Sequence, residues 1–257
     1  MTRIIAVSNQ KGGVAKTTTA LTLAAHLAGL GERVLAIDLD PQANLTMGLG
    51  VGRDGSTPAG TFEVLVEGLA LGEAALPVPS DESGRFFLVP ATRRLAKAER
   101  ELAGEPGFDR ILSSQLDVLS GFDAVVLDCP PSLGVLTTNA LVASDLCLIP
   151  VQCEYFSAMG LASLLEVIEV VRRRCNPRLS WQVLPTLYDR RNGICKGVLA
   201  QLQKRFEGRM AGVVIDVDTR LREASARGRP ISSFAPRSRA NRQYQDLAKE
   251  LLCHAVA

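Results

Sequence analysis

The sequence predicts an α/β fold: a single doubly wound domain with a mostly parallel central sheet and helices on both faces. Three observations lead there. Strand-like apolar runs recur along the chain with helical segments between them, the alternation of βαβ units joined by right-handed crossovers. Most runs are continuous rather than alternating, as strands covered on both faces require. Three glycine-rich or acidic segments also follow such runs, where an open parallel sheet places its ligands.

The runs read in order as "RIIAVS" (3–8), "RVLAIDLD" (33–40), "RFFLVPA" (85–91), "FDAVVLDCP" (122–130), "DLCLIPVQ" (145–152), "WQVLPTL" (181–187) and "AGVVID" (211–216). Helical spacing fills 16–30, 92–103, 134–143, 156–174, 193–206 and 238–256, with a weaker helix near 61–69. Residues 50–60 and 77–84 are rich in Gly, Pro and Ser and read as surface loops. No internal repeat is visible, so residues 1–257 are expected to form one domain.

Apolar residues make up 47% of the 257 and charged residues 22%, as in an ordinary globular protein. No apolar run approaches the roughly 20 residues of a membrane span, and the N-terminus lacks a signal-peptide pattern. Cysteines 129, 147, 153, 175, 195 and 253 form no C-x-x-C pair. They read as reduced thiols of a cytoplasmic protein rather than metal ligands. The net charge of +2 hides a split: residues 172–242 hold 17 Lys/Arg against 5 Asp/Glu, and the remainder holds 12 against 22. Such asymmetry fits a polyanion-facing surface on an acidic body, or arginines paired locally on solvated helix faces. The triplet Arg172–Arg174 closes a helix and equally fits its dipole.

The stretch "NQKGGVAKTTTA" (9–20) lies between the first strand and the first helix. Gly12 and Gly13 allow successive N–H groups, through Val14 and Ala15 to Thr18, to turn inward, and the helix adds its positive end. Lys16 would then reach the β- and γ-phosphates of a nucleotide, and the Thr17 hydroxyl would ligate Mg²⁺ directly. Ala15 stands where a strict G-x-x-x-x-G-K-[ST] motif has glycine, which costs nothing at negative φ and about 1 kcal/mol at positive φ. "AIDLDPQAN" ends a strand in Asp38 and Asp40, tolerable beside phosphates if one faces Mg²⁺ or the attacking water. "VVLDCPPS" ends in Asp128, the pattern of an aspartate holding a Mg²⁺-bound water, next to a cis or strained turn at Pro130-Pro131.

Together "KGGVAKTT", "DLDPQANLTMGLG", "VVLDCPPSLG" and "VQCEYFSAMGL" resemble the ParA/MinD group of deviant Walker ATPases, most closely its short ParA (Soj-like) partition branch. The resemblance runs from about residue 2 to 250. It implies ATP and Mg²⁺ as cofactors, with Lys11 reaching across a nucleotide-sandwich dimer to the partner's phosphates, as an arginine finger does. Asp40 would position the attacking water and, like Asp128, meet Mg²⁺ through water. Matching the family's C-terminal pattern, Arg191 and Arg220, with Arg222 beside them, become contacts to the backbone of nonspecific double-stranded DNA. Asp216, in place of a family proline, and Asp218 fall where adenine is read.

The implied cycle is an ATP-dependent homodimer on the nucleoid, released when a ParB-type activator stimulates slow hydrolysis. The longer ParA proteins carry an N-terminal helix-turn-helix; this chain is expected to lack it. A MinD-like membrane ATPase is disfavoured because "NRQYQDLAKELLCHAVA" has a packed-helix pattern and no basic anchor. Another cargo in place of DNA segregation stays open.

Overall fold

The computed structural model describes residues 2–52, 58–154 and 161–253. Strands form at β1 (Arg3–Val7), β2 (Val34–Asp38), β3 (Leu76–Pro77), β4 (Phe86–Val89), β5 (Ala124–Asp128), β6 (Leu146–Gln152) and β7 (Ser180–Thr186). They make one sheet in the order β3-β4-β2-β5-β1-β6-β7. Every neighbouring pair is parallel except β3 with β4. The doubly wound, mostly parallel sheet inferred from the continuous apolar runs is the observed one.

Side-chain alternation splits the core into two dry layers. On β2, Leu35 and Ile37 face one layer while Val34 and Ala36 face the other; on β5, Val125 and Leu127 oppose Ala124 and Val126. Over the first face lie α3 (Thr61–Val66), α4 (Leu71–Ala74), α5 (Leu95–Glu101), α6 (Ile111–Asp117), α7 (Val135–Ala143), α8 (Leu161–Arg174) and α9 (Gly193–Arg205). Over the second lie α1 (Lys16–Gly29), α2 (Asn44–Gly48), α10 (Thr219–Ala226), α11 (Ile231–Phe234) and α12 (Arg239–Cys253). The C-terminal helix is a packed one: Tyr244, Leu247, Ala248 and Leu251 are buried, and the Tyr244 hydroxyl lies 2.9 Å from Thr19 Oγ1 on α1. No helix among the described residues is long and apolar enough to cross a membrane.

One expected strand is absent. Residues 211–216 run along the outer edge of β7 and make only scattered bonds to it, Ala211 N to Val183 O and Ile215 N to Pro185 O, both 2.9 Å. Pro185 has no N–H with which to extend a ladder, and the Gly212 N–H is taken by Glu250. The short helices α2, α4, α6, α10 and α11 were not legible as periodic stretches. The start of the helix expected at 156, the middle of the 50–60 loop and residues 254–257 lie outside the described residues. All peptide bonds among the described residues are trans, so the Pro130-Pro131 turn is not cis.

His26, in the last turn of α1, is buried, and its Nε2 finds no hydrogen bond. Burial pushes its imidazole down to about 4, opposed by nearby Asn241. The unfolded chain takes up this proton near pH 6.5, so the fold keeps its full stability above that pH and loses some as pH falls towards 4. Asp38, raised to about 6, acts in the opposite sense in part of the window, so the comparison must be between variants. His26→Gln should remove about 3 kcal/mol of acid-induced loss between pH 6.5 and 4. Urea midpoints at pH 7, 5 and 4 check this, and parallel curves for both proteins would refute it.

Candidate active site

The carboxyl ends of β1, β2 and β5 lie side by side at the centre of the sheet, with Val7 and Asp38 each in register with Asp128. Beyond them opens a cleft of about 820 Å³, walled by residues of the 12–18 loop, the 40–52 segment, the end of β7 and α10.

The loop from β1 to α1 is held from both sides. Asn9 donates from Nδ2 to Pro150 O at 2.7 Å and accepts the Lys11 N–H on Oδ1 at 3.0 Å. The Thr186 hydroxyl donates to Val14 O at 3.0 Å, clamping the loop to β7. Gly13 and Ala15 are left-handed, with φ of 75° and 70°. At Gly13 the missing Cβ accounts for this. Ala15 is the case of positive φ, where an L-residue costs about 1–2 kcal/mol. Among the described residues the other non-glycine left-handed ones are Leu187, in the cleft wall, and Ala43, which packs on the core between the wall residues Gln42 and Asn44. Strain gathered at one rim marks a functional site.

Lys16 is buried, and its Nζ donates to Lys11 O at 3.2 Å. Burial lowers its pKa, while Asp128, Cys129 and Asp40 pull it back. The three aspartates have separate lots. Asp38 is consumed internally: Oδ2 accepts from Thr46 N at 2.9 Å and Thr46 Oγ1 at 2.7 Å, and Oδ1 accepts the Asp40 N–H. Asp40 lines the cleft and accepts the Gln42 N–H on Oδ1 at 2.9 Å. Asp128 is fully buried, and neither oxygen completes a hydrogen bond. Burial and then the Asp38 charge push its carboxyl well above the usual range, while the adjacent Thr17 hydroxyl and Lys16 favour the charged form. An orphaned carboxylate beside a threonine hydroxyl and a lysine fits a hydrated divalent cation. The arrangement can therefore take a polyphosphate with its metal.

Other expected residues fall differently. Gly12, Gly13, Ala15, Lys16, Thr17 and Thr18 line the cleft, whereas Val14 is buried behind it. Lys11 does not line it; its Nζ lies 4.0 Å from Glu154 Oε2. Asp218 lines it but accepts the Arg220 N–H, capping α10. Asp216, expected beside adenine, is not part of the wall: its carboxylate is bound by Arg190 and Arg239. Arg222, expected on the DNA face, lines the cleft instead, because residues two apart on a helix point in different directions. Arg220 and Arg191 are exposed, the latter hydrogen-bonded to Asp189 at 2.9 Å. Thr186 and Leu187, both in the wall, carry no motif signal. Gln42 and Asn44, also in the wall, sit inside the "DPQAN" segment that drew notice for its aspartates.

A family model described as an AAA domain matches residues 2–181. The chain is 44% identical over 251 residues to the chromosome-partitioning ATPase Soj of Thermus thermophilus, spanning 97% of this chain and 95% of that one. It is 40% identical over 253 residues to the chromosome partitioning protein ParA of Myxococcus xanthus, spanning 97% and 88%. The chain belongs to the ParA/Soj family of P-loop ATPases. Among solved structures, cobyrinic acid a,c-diamide synthase from Mycobacterium smegmatis with bound ADP and magnesium superposes on this ParA/Soj chain with a TM-score of 0.83. It is 37% identical and is covered over 96% of its length, and 99% of this chain is matched.

Because Ala15 is left-handed, Ala15→Gly should stabilise the fold. Relief of the left-handed alanine outweighs the freer unfolded chain by about 1 kcal/mol, a rise of about 2–4 °C in Tm. Calorimetry reads it directly, and a lower Tm would mean that the methyl group packs favourably.

Proposed function

We propose that this chain is an ATP-driven partition ATPase whose nucleotide state controls its grip on DNA. The observation that carries the reading is Asp128: buried, unsatisfied, and adjacent to Lys16 and Thr17 at the base of a large cleft. Thr17 would ligate Mg²⁺ directly, and Asp128 and Asp40 would hold it through water. When bound, the metal would supply charge neutralisation to the phosphates. Lys16 and the N–H groups of the 12–18 loop hold the phosphates. Asp40 faces the cleft with one oxygen engaged by Gln42 N–H, which suits a group that orients water without being a strong base.

The position of Lys11 supports action in trans. It stands outside its own cleft, so it could complete a second copy's phosphate site. ATP would then be part of a dimer interface, and the dimer would last only as long as the γ-phosphate. Exposed Arg191 and Arg220 give each protomer a few sequence-independent phosphate contacts. Two protomers on one rigid face would bind by avidity what one binds weakly. Slow hydrolysis, sped by a ParB-type activator, would release the dimer from nucleoid DNA. The synthase name borne by the M. smegmatis structure gives a second reading of the same cleft; amide formation from cobyrinic acid by the purified chain would favour it.

Lys16→Ala should lose ATP binding at least 10-fold, and with it ATP-dependent DNA retention. Asp40→Ala should bind ATP and DNA yet turn over at least 100-fold more slowly. Equilibrium nucleotide titration and phosphate release check both, and normal turnover by Asp40→Ala would remove its role. Arg191→Glu and Arg220→Glu should sediment as dimers with ATP but lose plasmid binding at moderate salt. Retention by both variants would show that the basic face has been misplaced.

A further inference from the structure

Behind the cleft wall, one carboxylate organises two arginines. The Asp216 side chain is 4% exposed, and its Oδ2 accepts from Arg190 Nε at 2.8 Å and Arg239 Nη1 at 3.2 Å. Its backbone N–H donates to Gln243 Oε1 at 3.0 Å. Three segments therefore meet on this residue: the loop after β7, the strip before α10 and the start of α12. The two arginine nitrogens share one acceptor, so they lie no more than 6.0 Å apart. Both side chains stay more than half exposed, at 61% and 59%.

Neutralising Asp216 requires one arginine. The second adds a like charge beside the first, an arrangement that is unfavourable unless an anion joins it. Each guanidinium uses one N–H on the carboxylate and has four others, in the planar fork that matches a phosphate. The cluster carries a net charge of +1, the complement of one phosphodiester. It lies inside the segment where basic residues outnumber acidic ones 17 to 5, and beside exposed Arg191.

We propose that Arg190 and Arg239, set on Asp216, form a phosphate clamp for the backbone of duplex DNA, additional to Arg191 and Arg220. The proposal rests on the DNA-binding reading above. It makes Asp216 a positioning residue, with a consequence of unusual sign. Asp216→Asn raises the positive charge of the face, so charge alone would tighten DNA binding. The clamp requires the reverse, because the two guanidiniums lose the anchor that sets their spacing.

The test uses the full chain with Mg²⁺ and a non-hydrolysable ATP analogue, titrated into labelled nonspecific duplex from 50 to 200 mM salt. Arg190→Gln and Arg239→Gln should each flatten the slope of log K against log salt by about 1 per protomer, or about 2 per dimer. Asp216→Asn should weaken binding while nucleotide affinity and Tm stay near wild type. If that variant fails to fold, the two exposed-arginine variants decide alone. Wild-type slopes in both arginine variants, or tighter binding by a folded Asp216→Asn, would overturn the clamp and leave the DNA reading standing. No ATP-dependent binding by the wild type would remove both. Loss of binding to an acidic polypeptide but not to DNA would assign the arginines to a protein partner and likewise overturn the clamp.

Discussion

Three carboxylates and one ammonium converge at the buried carboxyl ends of β2 and β5, at the base of the cleft, and the rest of the site is arranged around that imbalance. Parallel register puts Asp38 level with Asp128. A slip of one residue would turn Asp128 to the opposite face of the sheet. Uncompensated, such a group costs several kcal/mol per buried ion. The chain answers only part of the charge. Thr46 and a backbone N–H quiet Asp38, Gln42 engages one oxygen of Asp40, and Lys16 acts on Asp128 and Asp40. Asp128 is left for something that the polypeptide does not supply. A hydrated cation bound to an anionic ligand would answer both this carboxylate and the buried lysine.

The backbone stores strain at the same rim. Left-handed Ala15, Ala43 and Leu187 belong to three separate segments, the first two of them held by hydrogen bonds. The 12–18 loop is clamped by Thr186 and Asn9; Ala43 is bonded through its N–H to Asp40 O, and Leu187 follows directly on β7. Such a rim is already shaped before any ligand arrives, which lowers the ordering entropy that binding must offset.

What could be read from the amino acids follows from the range of the interactions. β1, β2, β5 and β6 were visible because burial on both faces leaves an unbroken apolar run. The phosphate loop was visible because glycines, lysine and threonine are adjacent in sequence. Asp128 was visible because it closes such a run. The rest depends on distant partners. No local signal says that Thr186 will cap a carbonyl 172 residues away, or that Thr46 will absorb Asp38. The run 211–216 has strand composition, yet a proline in its neighbour and a glutamate from α12 deny it a ladder. Arg220 and Arg222 looked equivalent until α10 fixed their phase. The family resemblance placed Asp216 near the adenine position, and only the fold brings it Arg190 and Arg239 from 26 and 23 residues away.

These last placements connect the two halves of the chemistry. Ile215 and Asp218 face the cleft, while Asp216 between them turns its carboxylate to the arginines on the other side. Asp218 also caps α10, the helix that carries Arg220. A strip of four residues is thus at once a wall of the nucleotide cleft and the mount of the basic cluster. Tyr188 bonds to that strip through both its N–H and its carbonyl, to Ile215 and Val217, and precedes Arg190 by two positions. Ile215 and Asp218 touch the cleft on one side of this segment, and Asp216 holds the arginines on the other. The strip is short, hydrogen-bonded on both sides and shared by the two surfaces.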